Sequence, residues 1–113
     1  MIKIPDNSKG LVYFDVDDTL VIWGKNDPDN SMTFICHGCV ESLVPNTEII
    51  MELKKAKKEG STVVVWSQGG ADWVEEVVIT LKLEQYVDLI ISKPDAYFDD
   101  LPAARFMRNW RKA

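Results

Sequence analysis

Residues 14–20 read Phe-Asp-Val-Asp-Asp-Thr-Leu, with Asp15, Asp17 and Asp18 crowded at the end of an apolar run. Neighbouring carboxylates repel each other, and burying one without a partner is costly. Other polar residues follow later apolar runs in the same way: Ser67 and Gln68 after Ser61–Trp66, Lys93 after Val87–Ile91, and Asp99-Asp100 after Ala96–Phe98. Carboxylates that converge stay ionised together only around a cation. An all-oxygen donor set without histidine suits a hard ion, and Mg²⁺ takes one or two carboxylates with water and a substrate phosphate. Ser67, Gln68 and Lys93 are then left to bind an anion. Ser67 also precedes Gly69-Gly70, at an expected helix start where free N–H groups and the helix dipole attract phosphate. A carboxylate that forms an acyl phosphate is a nucleophile, so the set points to phosphoryl transfer.

These residues meet only if the elements carrying them run in one direction. Leu11–Val16 is a nearly continuous apolar run and reads as a strand buried on both faces. Met32–Ile35 is expected to pair back on Val21–Trp23 as a hairpin, across turn signals at residues 24–30. Pro45-Asn46-Thr47-Glu48 opens a helix, with Asn46 or Thr47 as cap and Ile49, Ile50, Leu53 and Ala56 on one face. Lys54, Lys55, Lys57 and Lys58 crowd its end and Gly60 stops it. Ser61–Trp66 is a second strand, followed by a helix through Trp73, Val74, Val77, Val78 and Leu81. Val87–Ile91 is a third strand, Ala96–Phe98 a short fourth, and Leu101-Pro102 opens a last helix through Trp110. Arg105, Arg108, Arg111 and Lys112 then read as cations favouring that helix's C-terminus.

Strands alternating with helices predict βαβ units, a parallel sheet, and helices on both faces: a three-layer, Rossmann-like α/β/α sandwich. Ligands of such sheets bind outside the carboxyl ends of the strands, where each polar residue above falls. The 113 residues suffice for a single domain, 1–113. The 46% apolar and 27% charged content is that of an ordinary globular protein. A net charge of -5 argues against a uniformly basic nucleic-acid surface. No membrane span or secretory leader is expected, so the setting is read as cytoplasmic, with Cys36 and Cys39 reduced.

Asp15-Val16-Asp17-Asp18-Thr19 resembles the first motif, DxDxT, of the haloacid dehalogenase-like superfamily. Trp66-Ser67 is similar to its second motif, Lys93 before Pro94 to its third, and Asp99-Asp100 to its acidic fourth, in family order. The resemblance implies a Mg²⁺-dependent phosphomonoesterase with Asp15 as nucleophile and Asp17 as general acid and base. It implies that Asp15, the Asp17 carbonyl and an acid from Asp99-Asp100 hold the metal, with Asp100 the first choice for direct ligand. It implies that Ser67 and Lys93 hold the phosphoryl oxygens. Asp18 stands where the motif usually has glycine; aspartate tolerates left-handed backbone geometry, so it is expected to serve the turn. Ala104 stands where many relatives carry a further acid.

Between Leu20 and Pro45 there is room only for a flap, about 21–44, and between Gly70 and Val87 for one helix. The resemblance is therefore to capless members. An open site suits substrates too large for a closed pocket, such as nucleic-acid ends or phosphoproteins, and a small phosphorylated metabolite or a nucleotide is also an expected substrate. A non-catalytic phosphate- or partner-binding domain of the same fold, or a phosphotransferase, would use the same residues. Cys36-His37-Gly38-Cys39 is read as flap rather than a zinc site, since a structural site wants four ligands. Trp23 and Trp73 are read as flap and core packing.

Overall fold

The computed structural model describes residues 1–4, 6 and 9–110. In chain order its elements are β1 (Leu11–Asp15), β2 (Val21–Ile22), β3 (Met32–Cys36), β4 (Cys39–Pro45), α1 (Thr47–Lys58), β5 (Thr62–Ser67), α2 (Ala71–Thr80) and β6 (Leu89–Ser92). Single 3-10 turns lie at Glu84–Tyr86 and Ala103–Arg105.

The β-branched run Thr62–Val65 is buried throughout and forms the central strand of a parallel sheet, order β1-β5-β6. Asp15 pairs with Trp66 and Ser67 with Ser92, so the strands end at one rim. Asn46 takes the cap position of α1, as expected, without a side-chain cap bond; its N–H donates to the Leu20 carbonyl at 2.9 Å. Glu48 in the first turn and Lys55, Lys57 and Lys58 in the last complement the helix dipole.

One apolar cluster joins Phe14, Val63 and Val65 to Leu53 of α1 and to Val74, Val77 and Val78 of α2. Both helices therefore cover the same face of the sheet. Side chains alternate along a strand, so Tyr13, Val64 and Trp66 face the other way. Of the expected three-layer sandwich, the structure shows a small α/β domain with a three-stranded parallel sheet and two helices. The reason is topological: two crossovers of one hand, both stepping in the direction β1 to β5 to β6, leave both helices on one side.

The flap pairs differently from expectation. Met32–Cys36 does not pair with Val21–Ile22; β4, read as no element in the sequence, lies between them in an antiparallel sheet of order β2-β4-β3. His37 and Gly38 link β3 to β4 with φ of 50° and 77°, the two positive values a tight type I′ hairpin requires. Phe34 and Leu43 bury into the main cluster, so this sheet is part of the core.

The fourth strand and last helix do not form. Residues 96–98 make no strand, and within 101–110 only Ala103–Arg105 makes a helical turn. Phe98, Leu101, Phe106, Met107 and Trp110 are all exposed, so no packed apolar face supports a helix, and short isolated helices are marginal. Arg105 and Arg108 thus have no helix end to favour, while Arg111 and Lys112 lie outside the described residues. Among the described residues no helix is long and apolar enough to cross a membrane.

Candidate active site

The turn after β1 is built on one carbonyl. Val16 is fully buried, and its oxygen accepts the N–H groups of Thr19, Leu20 and Val21 at 2.9–3.2 Å. That tight closure brings Asp17 and Asp18 out of the strand direction. Asp18 takes the left-handed conformation, φ 57°, and its Oδ1 accepts the Trp23 backbone N–H at 2.9 Å. It serves the turn, as the sequence suggests.

Asp15 and Lys93 meet at the rim. The ammonium lies 3.5 Å from Asp15 Oδ1 and 5.7 Å from the centre of the Trp66 ring. The Lys93 N–H donates to the Ser67 carbonyl at 2.8 Å, tying the end of β6 to the end of β5. Ser67 is fully buried; its Oγ donates to Asp17 Oδ2 and accepts the Gly69 N–H, both at 2.9 Å. Space beside Gly69 is tight: a Cβ would stand 3.0 Å from Trp73 Cδ1 and 3.3 Å from Ser67 Oγ, so those side chains would have to give. Gln68 is exposed in the same turn.

Comparison with family models, curated proteins and solved structures finds no match. The functional reading therefore rests on this geometry and on the motifs.

Asp15 and Asp17 are linked by these contacts to the sequence-distant Ser67 and Lys93 at the carboxyl end of the sheet. Asp99 and Asp100 sit on the irregular segment after β6, both exposed. Asp99 Oδ1 accepts the Leu101 N–H at 3.1 Å. Hydrogen bonding with the Asp100 side chain, then that N–H, hold the Asp99 carboxyl below its ordinary value. Among the described residues no group of three or more His, Cys, Asp or Glu side chains gathers to hold a metal. Mg²⁺ asks for only one or two carboxylates, and the hard oxygens of Asp15 and Asp17 match it in donor type.

Two residues read as packing are polar partners of the site. The indole N–H groups of Trp23 and Trp73 both donate to Asp17 Oδ1, at 2.8 and 3.1 Å. The signal available was chemical: a tryptophan near an acidic cluster carries one polar atom, and it is a donor.

A cavity of about 1580 Å³ follows the outer edge of β1, and Asp15, Lys93, Tyr13, Trp66, Arg108 and Trp110 help to line it. Among the described residues that edge pairs with no strand. The cysteine segment lies elsewhere, at the tip of the β3–β4 hairpin. There His37 Nε2 is 2.9 Å from Asp72 Oδ2, and the Ile35 N–H donates to Glu76 Oε2 at 3.0 Å, fixing the hairpin to α2. Desolvation, followed by the nearby charges of Asp72 and Glu76, pushes the Cys36 thiol up. That disfavours the thiolate which zinc binding or disulfide chemistry would need.

Proposed function

We propose that this chain is a Mg²⁺-dependent phosphomonoester hydrolase of the haloacid dehalogenase-like type, acting through an aspartyl phosphate on Asp15. The observation that carries this reading is the linked rim: Lys93 Nζ 3.5 Å from Asp15 Oδ1, and Ser67 Oγ 2.9 Å from Asp17 Oδ2. Each of these four residues ends, or closely follows, a parallel strand, where such sheets bind ligands.

In this mechanism an Asp15 oxygen attacks phosphorus while the bond from phosphorus to the ester oxygen breaks. Asp17 gives that departing oxygen its proton. Asp17, now a carboxylate, takes a proton from water as the water oxygen attacks the acyl phosphate. The bond between phosphorus and Asp15 breaks, releasing inorganic phosphate and returning both aspartates to their starting forms. Lys93 stabilises the phosphoryl oxygens, with Ser67 holding the turn and Asp17 beside them. Mg²⁺ would be held by Asp15 and the Asp17 carbonyl, the acid that the resemblance draws from Asp99-Asp100 not being gathered with them, and when bound would supply positive charge to the phosphoryl group.

The large open cavity beside Asp15 supports substrates that extend beyond the phosphate, a nucleotide or nucleic-acid end as well as a small metabolite.

The first test is hydrolysis of p-nitrophenyl phosphate with and without Mg²⁺, beside Asp15→Asn. We expect metal-dependent turnover that falls to background in the variant. An unaffected variant, or no metal dependence, overturns the assignment. Phosphate binding without turnover would favour a non-catalytic binding domain.

A further inference from the structure

We infer that Trp23 is a positioning residue for Asp17, completing with Ser67 and Trp73 a three-donor cradle that aligns the acid–base carboxylate. The role given to Asp17 rests on the phosphatase reading; the contact itself does not. An aspartate carboxylate turns about a broad, soft torsion, and in a half-exposed position it samples many orientations. Here three donors from three elements fix it. Ser67 Oγ, ending β5, donates to Oδ2 at 2.9 Å. Trp73 Nε1, from the first turn of α2, donates to Oδ1 at 3.1 Å, and Trp23 Nε1, just after β2, donates to the same oxygen at 2.8 Å.

The two indoles are held differently. Trp73 packs edge-on against the fully buried Phe34, ring centres 6.0 Å apart, so it is fixed to the core. Trp23 is 41% exposed and is held by two hydrogen bonds, its backbone N–H to Asp18 and its indole to Asp17. Ser67 ends β5 and Trp73 lies on α2, whereas Trp23 follows the two-residue strand β2 at the surface. Replacing the Trp23 indole removes one donor and leaves the other two. A phenylalanine would preserve the aromatic contact with Trp73, at 6.3 Å between ring centres, but not the donor. An indole N–H only donates, so it orients the carboxylate without exchanging a proton with it.

Two measurements on the full chain test this. In ¹⁵N–¹H spectra the four tryptophans give four indole signals. In Asp17→Ala the Trp23 and Trp73 signals should shift and exchange faster with solvent, while those of Trp66 and Trp110 stay. In Trp23→Phe, kcat on a simple alkyl phosphate should fall about tenfold or more, at near-constant KM. Turnover of p-nitrophenyl phosphate, whose leaving group needs little protonation, should fall less than about threefold. A spectrum of Trp23→Phe with the other three indole signals in place establishes that the variant is folded. An unmoved Trp23 signal in Asp17→Ala, or equal losses on both substrates, overturns the inference. If the parent chain hydrolyses neither substrate, the phosphatase reading fails, and the indole signals alone decide whether Trp23 orients Asp17.

Discussion

Asp88 shows how one carboxylate can tie two elements together at the opposite end of the sheet from the site. Its side chain accepts from Lys57 Nζ at 2.6 Å and from the Val63 N–H at 2.8 Å, joining the end of α1 to β5. Burial raises the Asp88 carboxyl, but the Lys57 hydrogen bond, the Val63 N–H and the Lys57 charge outweigh it, and the group ends below its ordinary value. A carboxyl depressed in the folded state contributes stability that is complete above the unfolded value of about 3.9. That contribution is lost as pH falls through the folded value. Asp88→Ala should therefore lower stability by about 1 kcal/mol at pH 7, the pair being one-third exposed and screened. Urea unfolding of both proteins should give curves that converge in strong acid. The partners of Asp88 lie 25 and 31 residues away, so nothing local in the sequence names them. The turn role of Asp18 was legible, because left-handed tolerance belongs to the residue itself.

Among the elements, the β3–β4 hairpin is the clearest case of structure missed in the sequence. Cys36-His37-Gly38-Cys39 draws the eye to cysteine chemistry, yet its working part is the pair between the cysteines. His37 and Gly38 supply consecutive positive φ values, and Gly38 at 77° is the position least able to accept a β-branched side chain. Gly38→Val should destabilise the chain by about 1–2 kcal/mol, read as a lower thermal midpoint. The hairpin should loosen from α2 as well, since His37 and Ile35 fix it to Asp72 and Glu76. By contrast, Thr62–Ser67 and the helix ended by Gly60 were legible, because continuous β-branched burial and helix-end charge are local signals. Leu11–Asp15 forms its strand but, read as buried on both faces, lies instead at the sheet edge with Leu11 and Tyr13 exposed.

At the scale of the whole molecule, a net charge of -5 surrounds a rim whose proposed substrate is itself an anion. Long-range steering cannot then carry association, as it does for basic nucleic-acid binders. Between about 50 and about 200 mM salt such binders lose about a thousandfold in affinity or more. Here kcat/KM for a terminally phosphorylated oligonucleotide should change less than about tenfold over that range, measured by steady-state phosphate release. A steep fall would mean that a basic surface dominates binding.

Residue type and order determined the parallel sheet and which polar groups end its strands: Asp15, Ser67 and the Lys93 that follows β6. Those features follow from burial patterns within each segment and from the one direction that βαβ units impose. Only the tertiary structure decided that both helices share a face, that β4 lies between β2 and β3, and that two indoles grip Asp17. Strand partners and hydrogen bonds are chosen by what packs best across the fold. The Asp17 contacts with Ser67 and Trp73 span 50 and 56 residues, a distance at which local patterns carry no information.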